Sequence, residues 1–165
     1  MTADQIIRLL ALEPLEMEGG YFRETYRSAE SVAASALPDR YGGARSFATA
    51  IYYLLTPDVC SRLHRLASDE VFHFYLGDAV TMLQIHPAGR CEVLTLGPDV
   101  AAGQRVQVVV PRGVWQGCLL AGGGGFALMG TTVAPGFERA DYEGADRDSL
   151  IAAHPEVRGL IERLT

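Results

Sequence analysis

The stretch from Ser61 to Gly77 constrains the fold of this chain more than any other. It contains two short segments with the alternation of β-strands, separated by polar turn residues at positions 67–69. Alternation puts His64 on one face of the first segment and Glu70 on one face of the second. If these faces line one interior, the carboxylate of Glu70 is costly to bury unless a hydrogen bond, an opposite charge or a metal compensates it.

The residues that share these two faces are mostly apolar. In the first segment, Arg62 and Leu66 lie on the face of His64 by the same alternation. An apolar pocket with a few convergent polar groups is the usual composition of a small-molecule site. The predicted apolar lining consists of Leu66, Phe72, Phe74 and Phe137. A structural alternative stays open, in which His64 and Glu70 form a hydrogen-bonded pair with no chemical role.

The composition limits the class of protein. The chain has 165 residues, 48% of them hydrophobic, and a net charge of -6. This length suits one domain, which we place over residues 1–165. The negative charge and the lack of basic runs argue against nucleic acid or a membrane as a partner. Three cysteines without disulfide-type or metal-type spacing, and an N-terminus interrupted by Asp4 and Arg8, predict free thiols in a cytoplasmic protein.

Short strand-like segments recur along the chain between Gly and Pro turn signals, about nine to eleven in number. Helical patterns occur near both ends, over Ala3–Leu12 and over Glu156–Leu164. The pattern predicts an all-β jelly-roll barrel with short N- and C-terminal helices. It also predicts one central strand over Arg45–Leu55 and a hairpin tip at Gly122–Gly125.

Two motifs resemble those of the cupin superfamily. The spacing of His64, Glu70 and Gly77 is similar to the first cupin motif, although Leu66 replaces its second histidine. The segment Pro111–Gln116 resembles the second motif, Pro-x-Gly-x-x-His, with Gln116 in place of the histidine. These departures remove two of the imidazole ligands that a cupin metal site usually has.

Further segments resemble the small single-domain cupins of the cupin 5 group, known as DUF985. The resemblance implies a double-stranded β-helix, a homodimer and an open small-molecule pocket, without a settled reaction. The matching segments are Glu18-Gly19-Gly20-Tyr21-Phe22, Ala50–Leu55, Ser68-Asp69-Glu70, His73-Phe74-Tyr75 and Ala134–Phe137.

Three functions follow as hypotheses. In the first, His64, Glu70 and Gln116 hold a divalent metal (Fe, Mn, Ni or Zn) for oxygenase or lyase chemistry. In the second, no metal is needed: His64 is the base, Glu70 orients its imidazole, and a phenol from Tyr21 or Tyr26 is the acid of an isomerase or epimerase. In the third, the protein binds a metabolite without turning it over.

Other residues are candidates for contacts with the ligand. Glu18 and Phe22, like Tyr21, belong to a signature that either reaches the pocket or packs a dimer interface. Cys118 shares the face of Gln116 by alternation, and it is either a pocket residue or a small buried filler. We expect an open pocket centred on His64, Glu70 and Gln116 that binds a small, sugar-like or partly apolar metabolite.

Overall fold

The computed structural model of the chain describes residues 1–165 and consists mainly of antiparallel strands. Thirteen strands, β1 to β13, follow one another in the chain. Their bounds are Glu13–Pro14, Tyr21–Arg27, Ser31–Val32, Arg45–Ser46, Thr49–Leu55, Ser61–Leu66, Asp69–Gly77, Val80–Ile85, Cys91–Leu96, Gln107–Val110, Trp115–Leu120, Ala127–Ala134 and Tyr142–Gly144.

Three short α-helices flank the strands, and they lie near the two ends of the chain, as predicted. Helix α1 spans Ala3–Leu10 and begins with a capping box between Thr2 and Gln5. Helix α2 spans Arg147–Ala153, and α3 spans Arg158–Arg163 after a short 3-10 turn that starts at Pro155. None of these helices is long and apolar enough to cross a membrane.

Two sheets form the walls of the barrel. Strands β1, β2, β5, β12, β7 and β10 form, in this order, a six-stranded sheet. Strands β13, β6, β11, β8 and β9 form a five-stranded sheet. Strands β6 and β7, which carry His64 and Glu70, therefore follow each other in the chain but belong to opposite walls. This confirms the predicted jelly-roll architecture of the cupins.

The hydrophobic core has three parts. The largest fills the barrel between the sheets and includes Tyr53, Phe72 and Met129. A second packs α2 and α3 against the outer face of the five-stranded sheet, and a third packs α1 against the six-stranded sheet. The middle of the barrel is therefore packed with side chains.

Two predictions about strands were wrong. The predicted strand over Arg45–Leu55 is two strands, since β4 leaves the barrel to pair with β3 in a separate small sheet. The glycines at 122–125 do not form a hairpin tip, because β11 and β12 belong to different sheets. They connect the two walls. Local patterns of hydrophobicity do not specify the partner of a strand, which explains both errors.

A β-bulge in β6 corrects a further prediction. Gln116 of β11 is opposite His64, but Cys118, two residues on, is opposite Ser61, three residues back. The extra residue shifts the alternation, so Arg62 is exposed whereas His64 is buried. The expectation that Arg62 shares the face of His64 is therefore wrong.

Candidate functional site

A pocket opens at one end of the barrel, against the inner face of the six-stranded sheet. Its volume is about 180 Å³, and half of its sixteen lining residues are hydrophobic. Glu18, Glu70 and Thr131 are polar residues of its lining. The apolar lining residues are Leu15, Met17, Phe22, Ala50, Ile51, Leu66, Val133 and Phe137. A cavity of about 150 Å³ holds a molecule the size of benzene, so this pocket suits a small ligand.

Glu70 is the buried carboxyl group of this pocket, and only 7% of it is exposed. Its pKa is raised from 4.5 to about 7, mainly by burial and secondly by the negative charge of Glu18. His64, Thr131 and Gln116 act in the opposite direction. At neutral pH the carboxyl group is therefore divided between its protonated and ionised forms.

Gln116 links the two opposite walls of the barrel. Its amide nitrogen donates to Glu70 Oε2 over 2.6 Å and to His64 Nε2 over 3.0 Å. Both amide hydrogens are used in this way, while the amide oxygen is buried without a partner. The predicted apposition of His64 and Glu70 across the interior is confirmed, but an amide bridges them.

His64 is fixed by two hydrogen bonds and a stacked ring, and it does not line the pocket. Its Nδ1 donates to the carbonyl oxygen of Arg62 over 2.7 Å, which leaves Nε2 to accept from Gln116. The ring stacks on Tyr142, with centroids 4.9 Å apart. Only 1% of His64 is exposed. Since Gln116 rather than Glu70 contacts the imidazole, the geometry predicted for a base oriented by Glu70 is wrong.

Glu18 brings a second carboxylate to the pocket. It lies in the turn before β2, where Gly19 has a φ of 99° and its Cα faces the carbonyl oxygen of Cys60 so closely that a Cβ would collide. The Glu18 carboxylate accepts from Ser61 Oγ over 2.7 Å, and its other oxygen is 3.9 Å from His64 Nε2. Glu18 therefore lies in the pocket lining, as one of the two expectations for it had it.

The other residues that were predicted to contact the ligand fall into two groups, those that line the pocket and those that lie in the barrel core. Leu66, Phe22 and Phe137 line the pocket. Phe72, Phe74 and Cys118 instead belong to the barrel core. Alternation predicted that they point inward, but it did not distinguish the packed middle of the barrel from its open end. Burial raises the pKa of the Cys118 thiol well above its ordinary value, as expected for an inert filler.

Tyr21 lies on the wrong side of its strand for the role of acid. Phe22 faces the pocket, so the neighbouring Tyr21 points outward, where it packs on the cluster beneath α1. Tyr26 is exposed and does not line the pocket either. The prediction that a phenol from β2 supplies the proton is therefore wrong.

Sequence reasoning missed the charged mouth of the pocket. Arg27 pairs there with Glu24 and with Glu138, at 2.9 Å and 2.8 Å. Arg139 is exposed at the same edge. These residues come from β2 and from the segment after β12, which lie far apart in the sequence. The threonines Thr131 and Thr132, within the otherwise apolar β12, are a local signal of a polar site, and Thr131 lines the pocket.

The residues present do not fit the metal centre predicted at His64, Glu70 and Gln116. The amide nitrogen of Gln116, which does not bind metals, donates to His64 Nε2 and to Glu70 Oε2, so a metal would have to displace it from both atoms. Leu66 offers no donor atom. A different group of possible metal ligands lies on the surface, where Cys91, His154 and Glu156 bring their ligand atoms within 4.8 Å of one another.

Comparisons with known proteins agree with this fold. The model of the family described as "Cupin superfamily (DUF985)" matches residues 4–145. An uncharacterized protein of Saccharomyces cerevisiae, YML079W, is 30% identical over 133 residues; the match spans 76% of this chain but just under two thirds, 66%, of the yeast protein.

Solved structures give the same result. A protein of Shewanella oneidensis, SO0799, superposes with a TM-score of 0.88 and 34% identity over 100% of this chain and 98% of its own. A hypothetical protein from Leishmania major has a TM-score of 0.88 and 31% identity, over 100% of this chain and 99% of the Leishmania chain. An oxalate decarboxylase of Bacillus subtilis is similar in fold alone, with a TM-score of 0.52 and 15% identity over 90% of this chain and 36% of that chain. The match over residues 4–145 shows that the chain belongs to the Cupin_5 (DUF985) family of the cupin superfamily.

Proposed function

We propose that this protein binds a small, partly apolar metabolite in the barrel pocket and catalyses proton transfer on it, as an isomerase or epimerase does. The observation that carries the proposal is the pocket carboxyl of Glu70, whose pKa is raised to about 7. A general acid–base works best when its pKa is close to the ambient pH, because both protonation states are then populated. Glu70, rather than His64, is the proposed catalytic residue.

Glu18 supports this role as a second carboxylate of the same pocket. Neighbouring carboxyl groups in different environments can divide the roles of acid and base between them. Glu70 is buried and accepts a hydrogen bond from Gln116, whereas Glu18 accepts one from Ser61 and its side chain is 17% exposed. A carbon acid bound between these groups could lose a proton to one carboxylate and regain it from the other carboxylic acid.

The lining of the pocket indicates the class of ligand. The cavity of about 180 Å³ limits the bound part to roughly the size of one ring. Apolar walls favour a hydrocarbon face, while Glu70 and Glu18 favour hydroxyl or carbonyl groups at the inner end. Arg139 at the mouth suits a negatively charged group. We therefore propose a small hydroxy-carbonyl compound, such as a sugar-like acid.

Hydrogen exchange in D₂O tests the proposal. The protein is incubated with a set of aldoses, ketoses and hydroxy acids, and solvent deuterium at carbon is measured by NMR. We expect deuterium to enter at least one compound at the carbon next to its carbonyl. Replacement Glu70→Gln keeps the shape but removes the titrating group, so the rate should fall by about 10²-fold or more.

Glu162→Gln is the matched control, because this glutamate lies on α3, far from the pocket lining. Its exchange rate should equal that of the wild type. An unchanged rate in Glu70→Gln would contradict the proposal. Saturable binding without exchange of any compound would instead favour the second candidate function, a non-catalytic metabolite-binding module.

We further propose that the chain forms a homodimer through the outer face of the six-stranded sheet. Tyr75 and Val109 are 50% and 53% exposed on that face, and Tyr52 packs edge-on against Tyr75. Exposed apolar sheet surfaces of this kind favour burial against a second copy. Sedimentation equilibrium should give twice the mass of one chain, and the mass of one chain would exclude the homodimer.

A further inference from the structure

Three side chains of the types that can bind metals meet on the surface, and none of them lines the barrel pocket. Cys91 is the first residue of β9, whereas His154 and Glu156 lie between α2 and α3. Cys91 Sγ is 3.6 Å from His154 Nδ1 and 3.2 Å from Glu156 Oε1. His154 Nδ1 and Glu156 Oε1 are 3.7 Å apart. These three ligand atoms form a nearly equilateral triangle.

The size of this triangle matches one face of a zinc tetrahedron. Zinc binds thiolate sulfur at about 2.3 Å, imidazole nitrogen at about 2.0–2.1 Å and carboxylate oxygen at about 2.0–2.2 Å. With tetrahedral angles, these bond lengths place the ligand atoms roughly 3.3–3.6 Å apart. Each observed separation is within about 0.5 Å of that range, so small adjustments of the side chains would suffice.

We propose that Cys91, His154 and Glu156 form a zinc site with an open fourth position for water. A thiolate, an imidazole and a carboxylate are a ligand set that suits Zn²⁺, whereas Mg²⁺ and Ca²⁺ prefer oxygen ligands alone. The three ligands come from two parts of the chain that are separated by 63 positions. The ion therefore connects the C-terminal helices to the five-stranded sheet.

The local structure already positions the ligands without the ion. His154 ends α2, where its N–H donates to Leu150, and its side chain is only 15% exposed. In the metal-free protein the Cys91 thiol donates to Glu156, and the pKa of Cys91 is raised to about 11 by burial and by that carboxylate. Zinc takes the place of the thiol proton, which is released to the solvent.

The site uses residues beyond the part of the chain that matches the family. That match ends at residue 145, so two of the three ligands lie outside it. An ion bound to these ligands would cross-link β9 to the segment that follows α2. Because zinc binds the folded arrangement of ligands, it should stabilise the fold in proportion to its concentration relative to Kd.

Cobalt substitution tests the proposal directly. Untagged protein is reduced, stripped with a chelator and titrated with Co²⁺ without oxygen. We expect one ion per chain, tetrahedral d–d bands and a thiolate-to-cobalt charge-transfer band in the near ultraviolet, all removed by added Zn²⁺. Zinc should also raise the melting temperature. The charge-transfer band is specific for a bound thiolate, which separates this site from an oxygen-rich surface cluster.

The variants identify the ligands. Cys91→Ser should abolish the charge-transfer band, while Cys60→Ser should retain it, because Cys60 is also a partly buried free thiol but lies outside the triangle. His154→Gln should weaken binding by about 10-fold or more, and His86→Gln should not. Binding that survives both Cys91→Ser and His154→Gln, or the absence of stoichiometric binding to the wild type, would overturn the proposal. Loss of the bound ion in Glu70→Gln would also overturn it, because the ion would then belong to the barrel.

Discussion

The amide of Gln116 bridges the two walls of the barrel. It satisfies Glu70 and His64, two buried acceptors on opposite walls of the barrel, with two hydrogen bonds from one nitrogen. Buried acceptors that lose their donors cost more than the net value of the bonds themselves. The residue at the position of a metal-binding histidine of the cupin motif therefore satisfies both of these buried acceptors.

Replacing Gln116 tests this role. In Gln116→Leu the shape is roughly kept, but Glu70 and His64 lose their shared donor. We expect a loss of about 1–3 kcal/mol in the free energy of unfolding. The pKa of Glu70 should also rise, since the bond from Gln116 lowers it in the wild type. Urea unfolding measures the first effect, and a stability equal to that of the wild type would contradict the assigned bridge.

At the scale of elements, the bulge in β6 determines which side chains enter the interior. Gly117 of β11 lies against the bulge, where an added Cβ would be 2.9 Å from the carbonyl oxygen of Ser61 and 3.1 Å from the backbone nitrogen of Leu63. Backbone atoms of a paired strand cannot move away cheaply. A glycine is therefore required for β11 to contact the bulged strand.

The replacement Gly117→Ala should destabilise the protein by about 1–3 kcal/mol, as overpacking of an interior does. Gly159→Ala is its matched control, because nothing lies within 4 Å of the added Cβ and the residue is in α3. The control should be neutral or more stable by up to about 1 kcal/mol. Equal urea midpoints for Gly117→Ala and the wild type would show that the bulge does not need the close contact.

Sequence patterns predicted the strands better than their connections. Alternation correctly predicted that Phe72 of β7 and Gln116 and Cys118 of β11 point inward, because the chain is extended around these residues. It failed for Arg62, where a bulge shifts the phase. Tyr21 was a candidate from its signature alone, and alternation places it on the side of β2 opposite Phe22. The pairing of distant segments around Arg139 depends on tertiary structure and left no local signal.

At the scale of the whole molecule, Glu70 links stability to pH. Its pKa is higher in the folded chain, about 7, than the 4.5 expected for an unfolded one. The folded state therefore binds the proton more tightly between these values, and protonation favours folding. The contribution is complete below about pH 4.5 and is lost as the pH rises through 7.

Comparison with Glu70→Gln, which cannot titrate, isolates this effect. The wild type should lose stability relative to the variant as the pH rises from 5 to 8, by on the order of 3 kcal/mol at most. Urea unfolding at several pH values measures the difference, with Glu162→Gln as the control for an exposed glutamate. A difference that does not change over this interval would mean that the carboxyl is ionised throughout.

The most direct test of the proposed chemistry is an NMR titration of the Glu70 side-chain carboxyl. Protein labelled with ¹³C at glutamate carboxyls is titrated from pH 3 to 9, and the signal missing from Glu70→Gln is assigned to this residue. The structure predicts a midpoint near 7, which moves down in Glu18→Gln because the neighbouring negative charge is removed. A midpoint near 4.5 would contradict the account, since Glu70 would then be an ordinary carboxylate and not the acid–base of the pocket.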